Sequence, residues 1–367
     1  EAVALCDRNC DERTRILTLV TRGYVLSSFQ DEAAAIPVLE QTVAEQRRMF
    51  GGPHVEIADT LDALSRAHRR LGHLDRAEAL AREGLAIVET SLPDPHQRRS
   101  DALDTLRQVL IDSRQLDEAI ALGSRIVAMD EATRGPGHPK LATDQNTLGF
   151  TYMLHGDFDK AAEHCRIALA IAEALGDERR SAIYQADLGY GLALHGDTAA
   201  GMGLIRRAVA RFRAQPEVDF SELTSAMEKL GELQRMTGDL DAAVATYLES
   251  DAIYRERLLT ASSEWHSRTL IGIGRSLADR GGDDARAERS LREGIAKLTT
   301  PKSTVSSLRV EAKAALAELL NRNGETAEAG RLLEEASIET TAARGTLARD
   351  VQQLVQRASG AIKPDRS

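Results

Sequence analysis

The chain has 367 residues, of which 42% are hydrophobic and only 4% aromatic, and its formal net charge at pH 7 is -10. A protein this acidic repels polyanions, so neither nucleic acid nor an anionic membrane is expected as a direct partner. The three cysteines do not frame a disulfide scaffold, and no apolar run is long enough to span a bilayer, which together favour a cytoplasmic location.

Internal repetition is the clearest feature of the sequence. His54, His96 and His138 are each followed or preceded by turn-forming Gly or Pro residues, and they lie 42 residues apart. Four alanines keep the same spacing: Ala35, Ala77, Ala119 and Ala161. A fixed period of this length is typical of stacked helical units that bury their cores against one another.

This period predicts eight helical hairpins in chain order. They are placed near residues 13–50, 56–92, 98–134, 140–176, 181–214, 222–258, 265–299 and 307–343. Together they form an array over residues 1–345. Residues 346–367 are predicted to form a capping helix and a loose tail, because the open end of such an array needs a polar cap.

The fourth hairpin shows the structural role expected for each position that recurs between the repeats. Gly149 allows its helix to approach a neighbour closely, and Gly156 ends that helix in the left-handed conformation. Ala161 keeps the second helix close to the first, and Asp157 or Asp159 is predicted to cap its start. The third hairpin departs most from this pattern. It carries Arg residues, at 107 and 114, where glycine is expected.

The pairing of Leu148 with Gly149, followed by Tyr152, Gly156 and Ala161, resembles the tetratricopeptide repeat. The 42-residue period and the His-containing linker are similar to the repeats of kinesin light chains and their bacterial relatives. This resemblance implies an all-α, right-handed superhelical solenoid of about eight hairpins. It also implies a concave groove, lined by the first helix of each hairpin, that binds a protein or peptide.

Ten residues are predicted to contact a partner in that groove. They are Arg66, Arg69, Arg70, Asn146, Phe150, Met153, Leu154, Asp187, Tyr190 and Leu194. Kinesin light chains commonly carry an Asn near the position of Asn146, and an amide there can hold an extended peptide through paired donor and acceptor groups. The alternative is that the aromatic residues only pack against neighbouring helices and the arginines form a solvated face.

No residues in the sequence point to catalysis. His54, His96 and His138 lie on successive repeats, at least a helix-packing distance apart, so they cannot share one metal ion. Cys6 and Cys10 lack a second pair of ligands. With no phosphate-binding loop and no nucleophile beside a base, the sequence predicts a non-enzymatic protein without a metal or cofactor.

Two functions remain open. The first is an interaction scaffold within a larger bacterial signalling protein, such as a serine/threonine kinase. The second is a separate regulatory protein that senses a short peptide. Self-association through the groove is a further possibility. The bacterial origin is inferred from the excess of 40 Arg over 7 Lys, which is typical of GC-rich genomes.

Overall fold

Residues that favour helices dominate every predicted hairpin, and the regular elements of the described residues are all α-helices. The computed structural model describes residues 11–28, 31–215, 217, 219–257, 263–298 and 307–342, together with 355, 356, 358 and 360. Within those residues there are sixteen α-helices and no β-strand. They pair in sequence into eight hairpins, which confirms the predicted all-α repeat class.

The chain divides into two compact units, residues 1–151 and 152–367, and the division falls within the seventh helix. The helices up to that point are α1 (Glu12–Ser28), α2 (Glu32–Phe50), α3 (Val55–Arg70), α4 (Leu74–Ser91), α5 (Gln97–Asp112), α6 (Leu116–Arg134) and α7 (Pro139–His155). Those that follow are α8 (Phe158–Ala174), α9 (Glu178–Leu194), α10 (Thr198–Ala214), α11 (Phe220–Met236), α12 (Leu240–Glu256), α13 (Ser263–Arg280), α14 (Asp284–Lys297), α15 (Ser307–Arg322) and α16 (Thr326–Ala342).

Tight turns connect the two helices of a hairpin. Gly156 has a φ of 92°, as predicted for a residue that ends a helix in the left-handed region. In the third hairpin Arg114 occupies the corresponding turn with a φ of 61°. A non-glycine residue in this conformation is uncommon, so the third turn keeps the shape of the others without glycine.

Side chains cap the helix starts in two ways. Asp157 accepts a hydrogen bond from the backbone N–H of Lys160 at 3.2 Å, which confirms one of the two predicted caps. The linker histidines do the same for the first helices. His96 Nδ1 accepts from the N–H of Arg98 at 3.1 Å, and His138 Nδ1 accepts from that of Lys140 at 3.1 Å. The repeated histidine is therefore a helix cap that relies on the unprotonated ring nitrogen.

The backbones of α9 and α10 approach each other closely in the second unit. A Cβ placed on Gly189 would lie 2.7 Å from the carbonyl oxygen of Gly201. Gly201 stands where the other hairpins carry Ala, and both residues are buried. The two backbones are therefore in direct contact at this point, and neither position has room for a methyl group.

The third hairpin accommodates its arginine by a reciprocal exchange of size. Arg107 is 2% exposed and forms an ion pair with Asp104 of its own helix. Opposite it, α6 carries Gly123, where a Cβ would lie 2.9 Å from the Leu148 side chain and 3.5 Å from that of Arg107. The large residue on the first helix is thus matched by the smallest residue on the second.

A ladder of ion pairs joins the second helices of successive hairpins. Arg82 of α4 contacts Glu118 of α6 at 2.7 Å, and Arg292 of α14 contacts Glu328 of α16 at 2.8 Å. Arg213 of α10 and Glu249 of α12 form a further pair, nearer the ends of their helices. In each pair the partners are 36 residues apart. These pairs are exposed, so each contributes little to stability alone.

The predicted capping helix lies mostly outside the described residues. Val355 and Ala358, which are described, are buried in the same apolar cluster as Leu333 and Ala336 of α16. Residues near the end of the chain therefore cover the last hairpin.

Candidate interaction surface on the first helices

The first helices of neighbouring hairpins contact one another within each unit. In the second unit α9 contacts α11, α11 contacts α13, and α13 contacts α15; in the first unit α1 contacts α3 and α3 contacts α5. We call the side of the second unit formed by α9, α11, α13 and α15 the first-helix face. Side chains from four hairpins reach this one face.

One repeat position supplies a row of side chains along the first-helix face. This is the position directly after the small residue at which each first helix approaches its partner, and it is occupied by Tyr190, Glu232, Arg275 and Glu318. The first three are half-buried and Glu318 is exposed. Burial, and next the negative charge of Glu232, raises the pKa of Tyr190. The row therefore changes from aromatic to charged along the unit.

Ion pairs connect the helices across this face. Asp187 of α9 contacts Lys229 of α11 at 2.9 Å, and Arg275 of α13 contacts Glu311 of α15 at 3.4 Å. Arg235 of α11 bridges two helices: it contacts Glu232 of its own helix at 2.8 Å and Asp279 of α13 at 2.9 Å. Most of the charged side chains named on this face are therefore already in ion pairs.

A cavity of about 420 Å³ opens on the same face between α11, α13 and α15. Six charged residues line it: Arg235, Arg275, Asp279, Glu311, Glu318 and Arg322. Its apolar part is formed by small residues, Ala278, Ala314 and Ala315, together with Leu319. Because the alanines are short, they leave a hollow that is large enough for a side chain of a partner.

A buried carboxyl group lies between α11 and α13. Glu228 accepts hydrogen bonds from Thr269 Oγ1 at 2.9 Å and from the Tyr254 hydroxyl at 3.3 Å. Burial raises the pKa of Glu228 to about 7. The Glu228 side chain is half-buried, and it is poised to exchange a proton near neutrality.

An exposed aromatic residue marks the start of α13. Trp265 is 50% exposed, and the guanidinium of Arg268 lies 5.4 Å from the centre of its ring. Burial raises the pKa of Tyr190, and the charge of Arg268 partly opposes that rise. An exposed tryptophan beside arginine is typical of protein-binding surfaces.

The three arginines predicted to bind a partner lie on α3 in the first unit. Each forms an ion pair: Arg66 with Asp62 at 2.6 Å, Arg69 with Asp112 at 2.8 Å and Arg70 with Glu32 at 3.0 Å. Arg69 and Arg70 thereby link α3 to α5 and α2. Their charges are compensated within the protein, so a partner would have to compete for them.

The other predicted residues lie on α7 and α9. On α7, Phe150 is 42% exposed and Asn146 half-buried in the first unit, whereas Met153 is buried and Leu154 half-buried in the second. On α9, Asp187 is buried, and Tyr190 and Leu194 are half-buried. The structure brings the α9 set together with α11 on the first-helix face. Arg66 and Asn146, by contrast, lie on helices separated by α5.

The cavity and Trp265 are absent from the predicted site. A signal for part of the cavity was present in the sequence. Arg275 and Glu318 directly follow Gly274 and Ala317, just as Phe150 follows Gly149. Trp265, near the start of α13, does not stand next to such a small residue in the repeat.

Comparison with known proteins identifies the repeats. Residues 14–90 and 102–174 match the tetratricopeptide repeat family model. A kinesin light chain-related protein 1 from Arabidopsis thaliana is 26% identical over 193 residues, which are 52% of this chain and 30% of that protein. The helical hairpins within residues 14–174 thus match tetratricopeptide repeats. The chain is similar to a kinesin light chain-related protein, in keeping with its 42-residue period.

Two solved structures share the fold at low identity. One is a Rap protein complexed with Competence and Sporulation Factor: the match has a TM-score of 0.56 at 12% identity and covers 95% of this chain and 99% of that one. The other is a signal transduction ATPase with a tetratricopeptide repeat sensor from Pyrococcus horikoshii. That match has a TM-score of 0.55 at 16% identity and covers 78% of this chain and 42% of that one.

Two further properties concern the described residues only. None of their helices combines the length and apolar character needed to cross a bilayer. They also hold no group of three or more side chains able to ligate a metal ion together.

Proposed function

We propose that this chain is a non-enzymatic interaction module that binds a peptide or protein on its first-helix face. The observation that carries the proposal is the cavity of about 420 Å³ between α11, α13 and α15. It combines an apolar floor with charged walls on a surface shared by several repeats, as sites for specific ligands do. A second hollow, of about 560 Å³, lies at the second helices α2 and α4, but apolar residues and glycines form most of its lining and only Arg47 and Glu83 are charged.

Aromatic residues on the helices that form this face strengthen the proposal. Tyr190 and the exposed Trp265 lie on α9 and α13, and such residues contribute most of the binding energy at many interfaces. Phe150, exposed on α7, supplies a similar anchor in the first unit. A partner in the cytoplasm would find these side chains flanked by paired charges, which favours a specific rather than a purely apolar contact.

We further propose that the module serves as the sensory part of a larger bacterial signalling protein, such as a serine/threonine kinase. The shared fold with the repeat sensor of a signal transduction ATPase supports this proposal. The alternative is a separate peptide-sensing regulator, which the shared fold with a Rap protein bound to Competence and Sporulation Factor favours. The domain composition of the full-length gene product separates the two.

Site-specific photo-crosslinking tests the binding face. A benzoyl-phenylalanine is placed at Tyr190 or Trp265, or as a control at Arg289, which is exposed on the second helix α14. We expect the same protein to be crosslinked in cells from the first two positions and not from the control. Crosslinking from Arg289 alone, or equally from all three positions, would contradict the proposal. A second copy of this chain as the crosslinked protein would identify self-association.

A further inference from the structure

Internal ion pairs engage most of the charged side chains around the cavity, but not all of them. Arg235 is held by Glu232 and Asp279, and Arg275 faces Glu311. Glu318 has no ion-pair partner among the described residues. The cationic groups at the cavity are therefore engaged, and one carboxylate is not.

Arg322 forms no direct ion pair with Glu318, although its charge partly offsets the rise in the pKa of that carboxyl group. Its guanidinium donates a hydrogen bond to the backbone oxygen of Ala278 at 3.0 Å and lies 3.9 Å from Asp284. It is thus directed to groups other than Glu318. Burial, and next the negative charge of Asp279, raises the pKa of Glu318. Glu318 therefore lies near a second carboxylate without a direct ion pair of its own, and the arginines that line the cavity contact other groups.

The floor of the cavity suits the stem of a long basic side chain. Lys and Arg carry several methylene groups that pack against apolar surface while the charged end reaches polar groups. Ala278, Ala314 and Ala315 provide that apolar surface, and Glu318 with Asp279 provides the acceptors. An acidic side chain would instead meet the same two carboxylates at short range.

We infer that this cavity receives an arginine or lysine side chain from the partner, so that the partner's docking segment is basic. The inference rests on the proposed function, since it names the chemistry of the segment bound on the first-helix face. The net charge of -10 favours such a partner, because it accelerates the encounter with a positively charged segment.

Methyl NMR of the full chain with labelled alanines tests the inference. The floor residues Ala314 and Ala315 report directly on the cavity. The probe is the pentapeptide acetyl-Gly-Ala-Arg-Ala-Gly-amide, and the matched control contains citrulline, which has nearly the shape of arginine without its charge. We expect saturable shifts of both methyl signals with the arginine peptide and at least fivefold weaker binding of the citrulline peptide.

Two variants localise the interaction. Glu318→Gln should weaken binding of the arginine peptide on the order of tenfold, because a charge-assisted hydrogen bond is lost. Glu334→Gln, an exposed change on α16, should leave it unchanged. Alanine spectra of the free variants that match the original show that the fold is kept.

Three results would overturn the inference: equal binding of the citrulline peptide, no saturable shift of the two methyl signals, or equal weakening by both variants. Its failure is separable from that of the proposed function. Crosslinks from Tyr190 and Trp265 without arginine binding in the cavity leave the interaction face standing. Arginine binding without such crosslinks rejects the proposed face as the partner's site and leaves a cavity for basic ligands.

Discussion

Two glycines on the same helix should respond oppositely to the same substitution. Gly201 and Gly203 both lie on α10. A Cβ on Gly201 would overlap the carbonyl oxygen of Gly189 and lie 2.8 Å from the Cβ of Ala193, whereas nothing lies within 4 Å of a Cβ on Gly203. Alanine favours a helix over glycine by about 1 kcal/mol, so Gly203→Ala should stabilise the protein by about 0.5–1 kcal/mol.

At Gly201 the same gain is opposed by overpacking, which costs about 1–3 kcal/mol in a close-packed interior. The contacting atoms at Gly189 belong to the backbone, so α9 and α10 must move apart. We therefore expect Gly201→Ala to destabilise the second unit by up to about 2 kcal/mol.

Urea unfolding followed by circular dichroism measures both variants, and amide hydrogen exchange shows whether the loss is centred on α9 and α10. The reasoning is refuted if Gly201→Ala raises the unfolding midpoint as Gly203→Ala does. It is also refuted if exchange accelerates equally in distant hairpins, because the contact would then not be the cause.

Three further predictions concern caps and buried charge. Asp157→Ala should cost about 1 kcal/mol of stability through loss of the α8 cap, measured by thermal unfolding beside Asp159→Ala, which should be near neutral. Arg107→Ala should cost about 3–5 kcal/mol, because it leaves a carboxylate without its buried partner; a loss below 1 kcal/mol in urea unfolding would contradict this. Glu228 has a folded pKa of about 7, above its unfolded value, so its contribution is greatest at acidic pH and is lost as the pH rises towards 7. Glu228→Gln should flatten that fall in a series of melting temperatures between pH 5 and 8, and an unchanged slope would count against it.

The repeat period predicted much of the local structure because turns and caps depend on neighbours in sequence. Gly156 and Asp157 act as their residue types imply. The accommodation of Arg107 was not predictable in this way. It depends on Gly123, which lies 16 residues away and meets Arg107 only after the hairpin closes.

The candidate site was less predictable than the fold. The repeat register along the first helices is enough to place Tyr190 on the first-helix face. The ion pairs of Arg69 and Arg70, however, are made with residues of other helices. Whether a charge is free or paired depends on such distant contacts. The cavity likewise arises from three alanines on two helices, each an ordinary helix residue in the sequence.

The ladder of arginines and glutamates on the second helices bears on how the array can change in length. Each rung joins one hairpin to the next with the partners 36 residues apart, as for Arg82 with Glu118 and for Arg292 with Glu328. On α12 one helix carries both kinds of charge: Glu249 pairs with Arg213 of the preceding hairpin, and Arg255 pairs with Glu293 of the following one. In-frame duplication of that hairpin would bring Arg255 of one copy opposite Glu249 of the next, so the array could lengthen there with its ion pairs kept.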